Sequence, residues 1–166
     1  MGCPDRNVEK QGAGAALMKN PCLAQEIIRE TIRGAGRLPV SIKTRIGYNK
    51  NELSTWLPTL LETGPAAITI HARTRREMSD VPARWEHVAE AVKIRDRAKS
   101  DTLILGNGDV MSYDDGLKKA EQSGADGVMV GRGLFGNPWF FRPEFSPTKK
   151  DRLLALVDHT HLFEKL

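Results

Sequence analysis

Residues 40–73 read VSIKTRIGYNKNELSTWLPTLLETGPAAITIHAR. Val40, Ile42, Thr44 and Ile46 alternate with Ser41, Lys43 and Arg45, the two-residue period of a strand with unlike faces. Leu53, Trp56, Leu57, Leu60 and Leu61 then recur at helical spacing, which predicts a helix over Glu52–Thr63. Pro58 has no amide proton and should kink or shorten that helix, and Gly64 ends it. Ala66–Arg73 predicts a second strand, with Ile68, Ile70 and Ala72 opposed to Ala67, Thr69, His71 and Arg73.

The same alternation extends in both directions. Upstream, Asn20 caps and Pro21 opens a helix carrying Leu23, Ile27, Ile28 and Ile32, with Gly34 as its stop. Cys22 falls inside this helical pattern and reads as inert packing. Downstream come a helix over about Arg84–Lys99, a strand at Leu103–Asn107, and a helix from Ser112 to Gly124. Ser112 and Asp115 have the spacing of a capping box. A fourth strand is expected at Val128–Gly131. Beyond Pro138 the chain is irregular until a last amphipathic segment at Lys149–Lys165. Three successive strand–helix–strand units argue for a parallel sheet. Polar residues gather at the strand C-terminal ends: Lys43 and Arg45, His71 and Arg73, Asn107 and Asp109, Gly131 and Arg132. Ligand chemistry of parallel α/β folds sits at that edge. A polar inner face opposed to an apolar outer one suits a barrel wall better than an open sheet buried on both faces. Four strands are countable, half of what a closed eight-stranded barrel requires.

Composition narrows the function classes. The chain has 166 residues, 40% hydrophobic and 28% charged, which excludes a low-complexity or strongly disordered chain. No run approaches the roughly 18 apolar residues of a membrane span, and Met1–Arg6 carries no apolar signal core. Two cysteines make no disulfide framework, so a reducing, cytoplasmic setting is the expectation. The net charge of +4 points weakly to an anionic partner. His71, His87, His159 and His161 show no metal-ligand spacing, so no metal is expected, and nothing identifies a protein partner.

Gly131-Arg132-Gly133-Leu134-Phe135-Gly136 matches G-x-G-x-x-G after a strand. No further strand ending in an acid follows, so a dinucleotide fold is rejected in favour of a phosphate cradle at the end of a barrel strand. A plain glycine turn is the bland alternative. Lys43 and His71 lie near strand C-terminal ends. Each is ordinary alone, as a solvated lysine or a structural histidine, but both converge with Asn107 and Arg132. Cys3, between Gly2 and Pro4, is expected to be exposed and available as an acid or nucleophile. Arg73, Arg75 and Arg76, with Arg84 beyond, form a basic loop that reads either as solvated surface or as a phosphate-backbone contact.

Taken in order, the motifs resemble a known family. They are Gly2-Cys3-Pro4; Gly12-x-Gly14-Ala15-Ala16-Leu17-Met18; Lys43-x-Arg45-x-Gly47; His71-Ala72-Arg73-Thr74-Arg75; Asn107-Gly108-Asp109-Val110; and Gly131-Arg132-Gly133-x-x-Gly136-Asn137-Pro138-Trp139. The set is similar to that of the tRNA-dihydrouridine synthases and covers Gly2–Trp139. The resemblance implies a TIM (β/α)8 barrel that binds FMN, followed by a small helical domain that grips tRNA. It implies reduction of FMN by NADPH, then reduction of the C5–C6 bond of a flipped tRNA uridine, with Cys3 as the general acid at C5. By position, Lys43 and His71 would contact the isoalloxazine and ribityl region, Lys43 favouring negative charge near N1. Asn107, Gly108, Asp109, Gly131 and Arg132 would bind the ribityl phosphate. Arg45, Arg73 and Arg75 would lie against the tRNA. The family's early Met-Ala-Pro flavin loop and a flavin-contacting Gln have no counterpart here, and Arg76–Asp80 departs from its commonest pattern. Met1 falls where an internal Met stands in the family. The expectation is therefore the C-terminal half of the barrel, residues 1–142, lacking about the first four strands. Residues 143–166 would be a linker and the first helix of the helical domain. Such a piece should hold FMN weakly. The alternatives are another FMN barrel oxidoreductase acting on a free pyrimidine, or an inactive truncated fragment.

Overall fold

The computed structural model describes all 166 residues. Its centre is one parallel sheet of β1 (Ser41–Arg45), β2 (Ala67–His71), β3 (Leu103–Asn107) and β4 (Gly127–Met129), hydrogen-bonded in chain order. Each of the first three strands is followed by a crossover helix that returns the chain to the neighbouring edge: α3 (Leu53–Leu61), α4 (Glu86–Arg97) and α5 (Tyr113–Ser123). Before β1 come α1 (Arg6–Lys10), a 3-10 turn at Gly14–Lys19 and α2 (Pro21–Ala35); after β4 comes α6 (Lys149–Phe163). Four sequential parallel strands with helices on one side form an arc of a TIM-type barrel wall.

The alternation in the sequence sets which face is which. Ile42, Ile68, Ile70 and Ile104 point to the helices and are buried against Leu57 and Leu60 of α3, Val88 and Ala91 of α4, and Ile28 of α2. Trp56 joins this core, and its indole N–H donates to the buried Thr44 hydroxyl at 3.0 Å, so neither polar atom is left unpaired. On the opposite face, the parallel register carries Lys43, Thr69, Leu105 and Gly127 in one row. The next row, at the C-terminal ends, is Arg45, His71, Asn107 and Met129.

Several boundaries move, each for a local reason. The α2 helix runs through Gly34 and stops at Ala35, because Gly36 takes the positive φ of 61° that ends it. Cys22 is exposed in the first turn of α2, not packed as its spacing predicted, because the buried face runs through Ala24 and Ile28. The α3 helix ends at Leu61, two residues short of expectation, with Pro58 inside it. At α5, Ser112 accepts from Asp115 N at 3.1 Å, but the Asp115 carboxylate returns to Met111 N, so only half of the capping box forms. The expected Val128–Gly131 strand is the shorter Gly127–Met129. The five-residue α1 has no predicted counterpart; Asp5 caps it by accepting from Asn7 N and Val8 N. No helix is long and apolar enough to cross a membrane.

Leu57 is fully buried between sheet and helices. Its replacement by Ala should cost about 2–5 kcal/mol, read as a lower urea midpoint with an unchanged slope. A cost below about 1 kcal/mol would mean that this layer is not the core.

Candidate functional site at the strand C-terminal rim

The rim is built around the turn that follows β3. Gly108 has φ of +125°, and a Cβ there would lie 2.7 Å from Ala83 Cβ and 3.3 Å from His71 Cδ2. Only glycine lets this turn approach the β2 end so closely. Its carbonyl accepts from Trp85 Nε1 at 2.9 Å, and Asn107 Nδ2 donates to Met129 O at 2.8 Å. Asp109 follows, itself at φ +51°. One of its oxygens accepts from Arg73 Nη2 at 2.5 Å and from Ala83 N at 2.8 Å; the other accepts from Arg132 Nη2 at 2.8 Å. Burial opposes the Asp109 charge, but the bonds from Arg73 and Ala83 outweigh it and hold the carboxyl below its ordinary range.

His71, Asn107, Gly108, Asp109, Gly131 and Arg132 line one cavity of about 250 Å³. The backbone amides of Gly108, Asp109, Val110 and Gly131 have no hydrogen-bond acceptor in the protein. A Cβ on Gly131 would meet nothing within 4 Å, so packing does not demand glycine there. A glycine that the fold does not need, beside amides without acceptors, is what an anionic group needs for close approach. No helix of the length a dinucleotide site needs opens after Gly131, only a 3-10 turn at Arg132–Leu134.

His71 is neutral. Burial first, then the charges of Arg45, Lys43 and Arg73, lowers its pKa from 6.5 to about 3, with Asp109 opposing. Arg73 Nη1 lies 3.2 Å from His71 Nε2, and a guanidinium only donates, so Nε2 accepts and Nδ1 carries the proton. Lys43 stands on the open face of β1 with no acid paired to it. Burial, then Arg45, lowers its pKa.

The Cys3 loop closes over the end of β1. Arg45 Nε donates to Gly2 O at 2.9 Å, and Ala15 N donates to Cys3 O at 2.9 Å. Gly14 (φ +60°) permits the second contact, since a Cβ there would sit 2.7 Å from Cys3 O. Cys3 itself is exposed.

The arginines are placed differently from the basic loop expected. Arg45 is 6% and Arg73 3% exposed. Arg45 also donates to Thr74 O and Met78 O, both at 2.9 Å, and Arg73 Nε donates to Val81 O at 2.6 Å. Arg75 pairs with Glu9 and Arg84 with Glu77. Of this run only Arg76 is exposed without an acid partner. Arg45 and Arg73 thus stand inside the rim and brace it, Arg45 through carbonyls bound by Nε and Nη1, Arg73 through Val81 O, His71 and Asp109. Glu9, Glu77, Ala83 and Trp85 complete the site and were not foreseen. Glu9 and Arg75 lie 66 residues apart, beyond any local signal. No group of three or more His, Cys, Asp or Glu side chains is arranged to hold a metal ion.

The low pKa of His71 makes a sign-definite prediction. The unfolded chain takes up a proton as pH falls below about 6.5, while the folded one does so only near 3. His71 therefore costs nothing above pH 6.5 and subtracts stability progressively as pH falls from there towards 3. By NMR its ring should keep neutral-form shifts down to pH 5. A titration midpoint near 6.5 would contradict the assignment.

Comparison with known proteins converges on one family. The family model described as "Dihydrouridine synthase (Dus)" matches residues 1–164. A "Probable tRNA-dihydrouridine synthase 2" of Bacillus subtilis (strain 168) is 46% identical over 158 residues, covering 95% of this chain and 48% of that protein. A "Probable tRNA-dihydrouridine synthase" of Staphylococcus aureus (strain Mu50 / ATCC 700699) is 46% identical over 167 residues, 99% of this chain and 50% of that protein. The chain thus spans about half the length of the curated relatives it matches. A solved 2,3-dimethylmalate lyase overlays 77% of this chain and 52% of its own, at a TM-score of 0.49 and 14% identity. With residues 1–164 of its 166 matched by the family model, the chain belongs to the dihydrouridine synthase family.

Proposed function

We propose that the intact protein is a cytoplasmic tRNA-dihydrouridine synthase that uses FMN, takes its electrons from NADPH, and reduces the C5–C6 bond of uridine in tRNA. The observation that carries this reading is the cavity under Gly108 and Asp109, whose unpartnered amides and dispensable glycine suit a phosphate group. The relatives' names supply the substrate.

When bound, FMN supplies the two-electron reduction of the uridine double bond at C6. The protein's own residues do the rest. The backbone amides of Gly108, Asp109 and Gly131 and the Arg132 guanidinium would hold the ribityl phosphate. Asp109 keeps Arg132 in place and neutralises Arg73. His71, neutral with a free Nδ1–H, donates a hydrogen bond without adding a charge. Lys43, an ammonium with no acid partner, would favour negative charge on a flavin bound within its reach. The Cys3 thiol transfers its proton to C5 on the other face of the base, and the thiolate is reprotonated from solvent. Arg45 contributes by fixing the Gly2 carbonyl, hence the loop on which Cys3 sits. Residues 143–166, with α6, are read as the linker and first helix of a tRNA-gripping domain.

The test uses the intact enzyme. Cys3→Ala should leave NADPH-driven bleaching of the flavin at its wild-type rate and lower uridine reduction in unmodified tRNA by at least about 100-fold, the scale of a lost general acid. Equal tRNA turnover would remove Cys3 from the mechanism. Reduction of a free pyrimidine in preference to tRNA would replace the substrate assignment.

A further inference from the structure

A second hollow lies beside the Cys3 loop, between α1 and the loop that carries Arg75 and Met78. It measures about 570 Å³ and is lined by Pro4, Asp5, Arg6, Asn7, Lys10, Arg75 and Met78. Arg6 and Lys10 are one helical turn apart and so share a face. Both are exposed, and neither is paired with an acid. Of the acids nearby, Asp5 lines the hollow with its carboxylate spent on the helix cap, through the amides of Asn7 and Val8, and Glu9 is paired with Arg75. Two like charges at this spacing repel each other, and neither forms an ion pair within the protein. Exposed Arg76 extends the positive surface next to Arg75.

Position gives the surface its meaning. Arg6 is three residues beyond Cys3, so their Cα atoms are at most about 11 Å apart. The hollow opens to solvent beside the loop and is separate from the cavity under Asp109. Meanwhile the arginines that the motifs had pointed towards the nucleic acid are turned inward: Arg45 and Arg73 are buried, all three Arg73 guanidinium nitrogens are engaged, and Arg45 spends Nε and Nη1 on main-chain carbonyls.

We propose that this hollow is a docking site for the RNA sugar–phosphate backbone, in which Arg6 and Lys10 take the phosphates that flank the nucleotide presented to Cys3. The assignment rests on the tRNA reading above and moves the phosphate contacts from Arg45 and Arg73 to α1. Each such contact releases condensed counterions, so it leaves a signature in salt dependence that a purely structural residue does not.

The experiment measures binding of unmodified tRNA to the full 166-residue chain across a salt series. Arg6→Ala with Lys10→Ala is compared with Arg29→Ala and Arg37→Ala, which remove the same charge from exposed positions in and after α2. The α1 pair should flatten the slope of log K against log salt by about 0.7–0.9 per cation removed, while the α2 pair leaves it unchanged. An unchanged slope for the α1 pair, an equal change for the α2 pair, or no tRNA binding even at low salt would each overturn the proposal. The uridine-reduction assay of the intact enzyme is independent of all three outcomes, so a failure here is distinguishable from a failure of the activity assigned above.

Discussion

The rim depends on a single carboxylate. Asp109 accepts from Arg73, from the Ala83 amide and from Arg132 at once, and so joins the ends of β2, β3 and β4 and the loop before α4. Arg73 is buried too deeply to shed its charge into water, and a buried guanidinium without a counter-ion is costly. With Asp109 in place, Arg73 is neutralised and still has a donor for His71. That donor fixes which ring nitrogen carries the proton. The backbone of Asp109 adopts a left-handed φ to reach this position, a conformation that Asp tolerates better than most residues. Lys119 of α5 donates to its carbonyl and steadies the turn from the far side.

Around this hub the cations are sorted by depth. Arg45 and Arg73 are interior braces whose partners are main-chain carbonyls and Asp109. Lys43 and Arg132 occupy the open face and the mouth of the cavity, and Arg6, Lys10 and Arg76 are left for solvent. The modest net charge of the chain hides this sorting, because positive charge is distributed by whether a carboxylate lies within reach and not by sequence density.

What the sequence made legible follows from how local each signal is. The strand faces were readable because a two-residue period is written in adjacent residues. Ile42, Ile68, Ile70 and Ile104 pack against the helices and Lys43, His71 and Asn107 face away, in agreement with the alternation. The convergence of His71, Asn107, Asp109 and Arg132 was readable for the same reason, since parallel order brings strand C-termini to one edge, whereas Lys43, expected with them, does not line that cavity. The fates of Arg45, Arg73 and Arg75 were not readable. Each is decided by a partner far along the chain, such as Glu9 for Arg75 or Asp109 for Arg73, and a cluster of arginines looks the same in sequence whether those partners exist or not. The α1 helix escaped notice because five residues are too few for a helical period to show. Cys22 was misread because helical spacing identifies an apolar stripe but does not say on which side of it a flanking residue falls.

Trp85 gives the site an optical property. Its ring fills the space left by Gly106 on the helix side of β3, where a Cβ would lie only 2.2 Å from Cζ3, and its indole N–H holds the Gly108 carbonyl. The chromophore is therefore fastened to the very turn that floors the cavity, while Trp56 is enclosed in the core and Trp139 stacks near Phe145 well along the chain. Displacement of that turn alters the hydrogen bond and polarity felt by one indole out of three. The intrinsic emission of this chain thus carries a built-in gauge of what happens at the end of β3, with no label required.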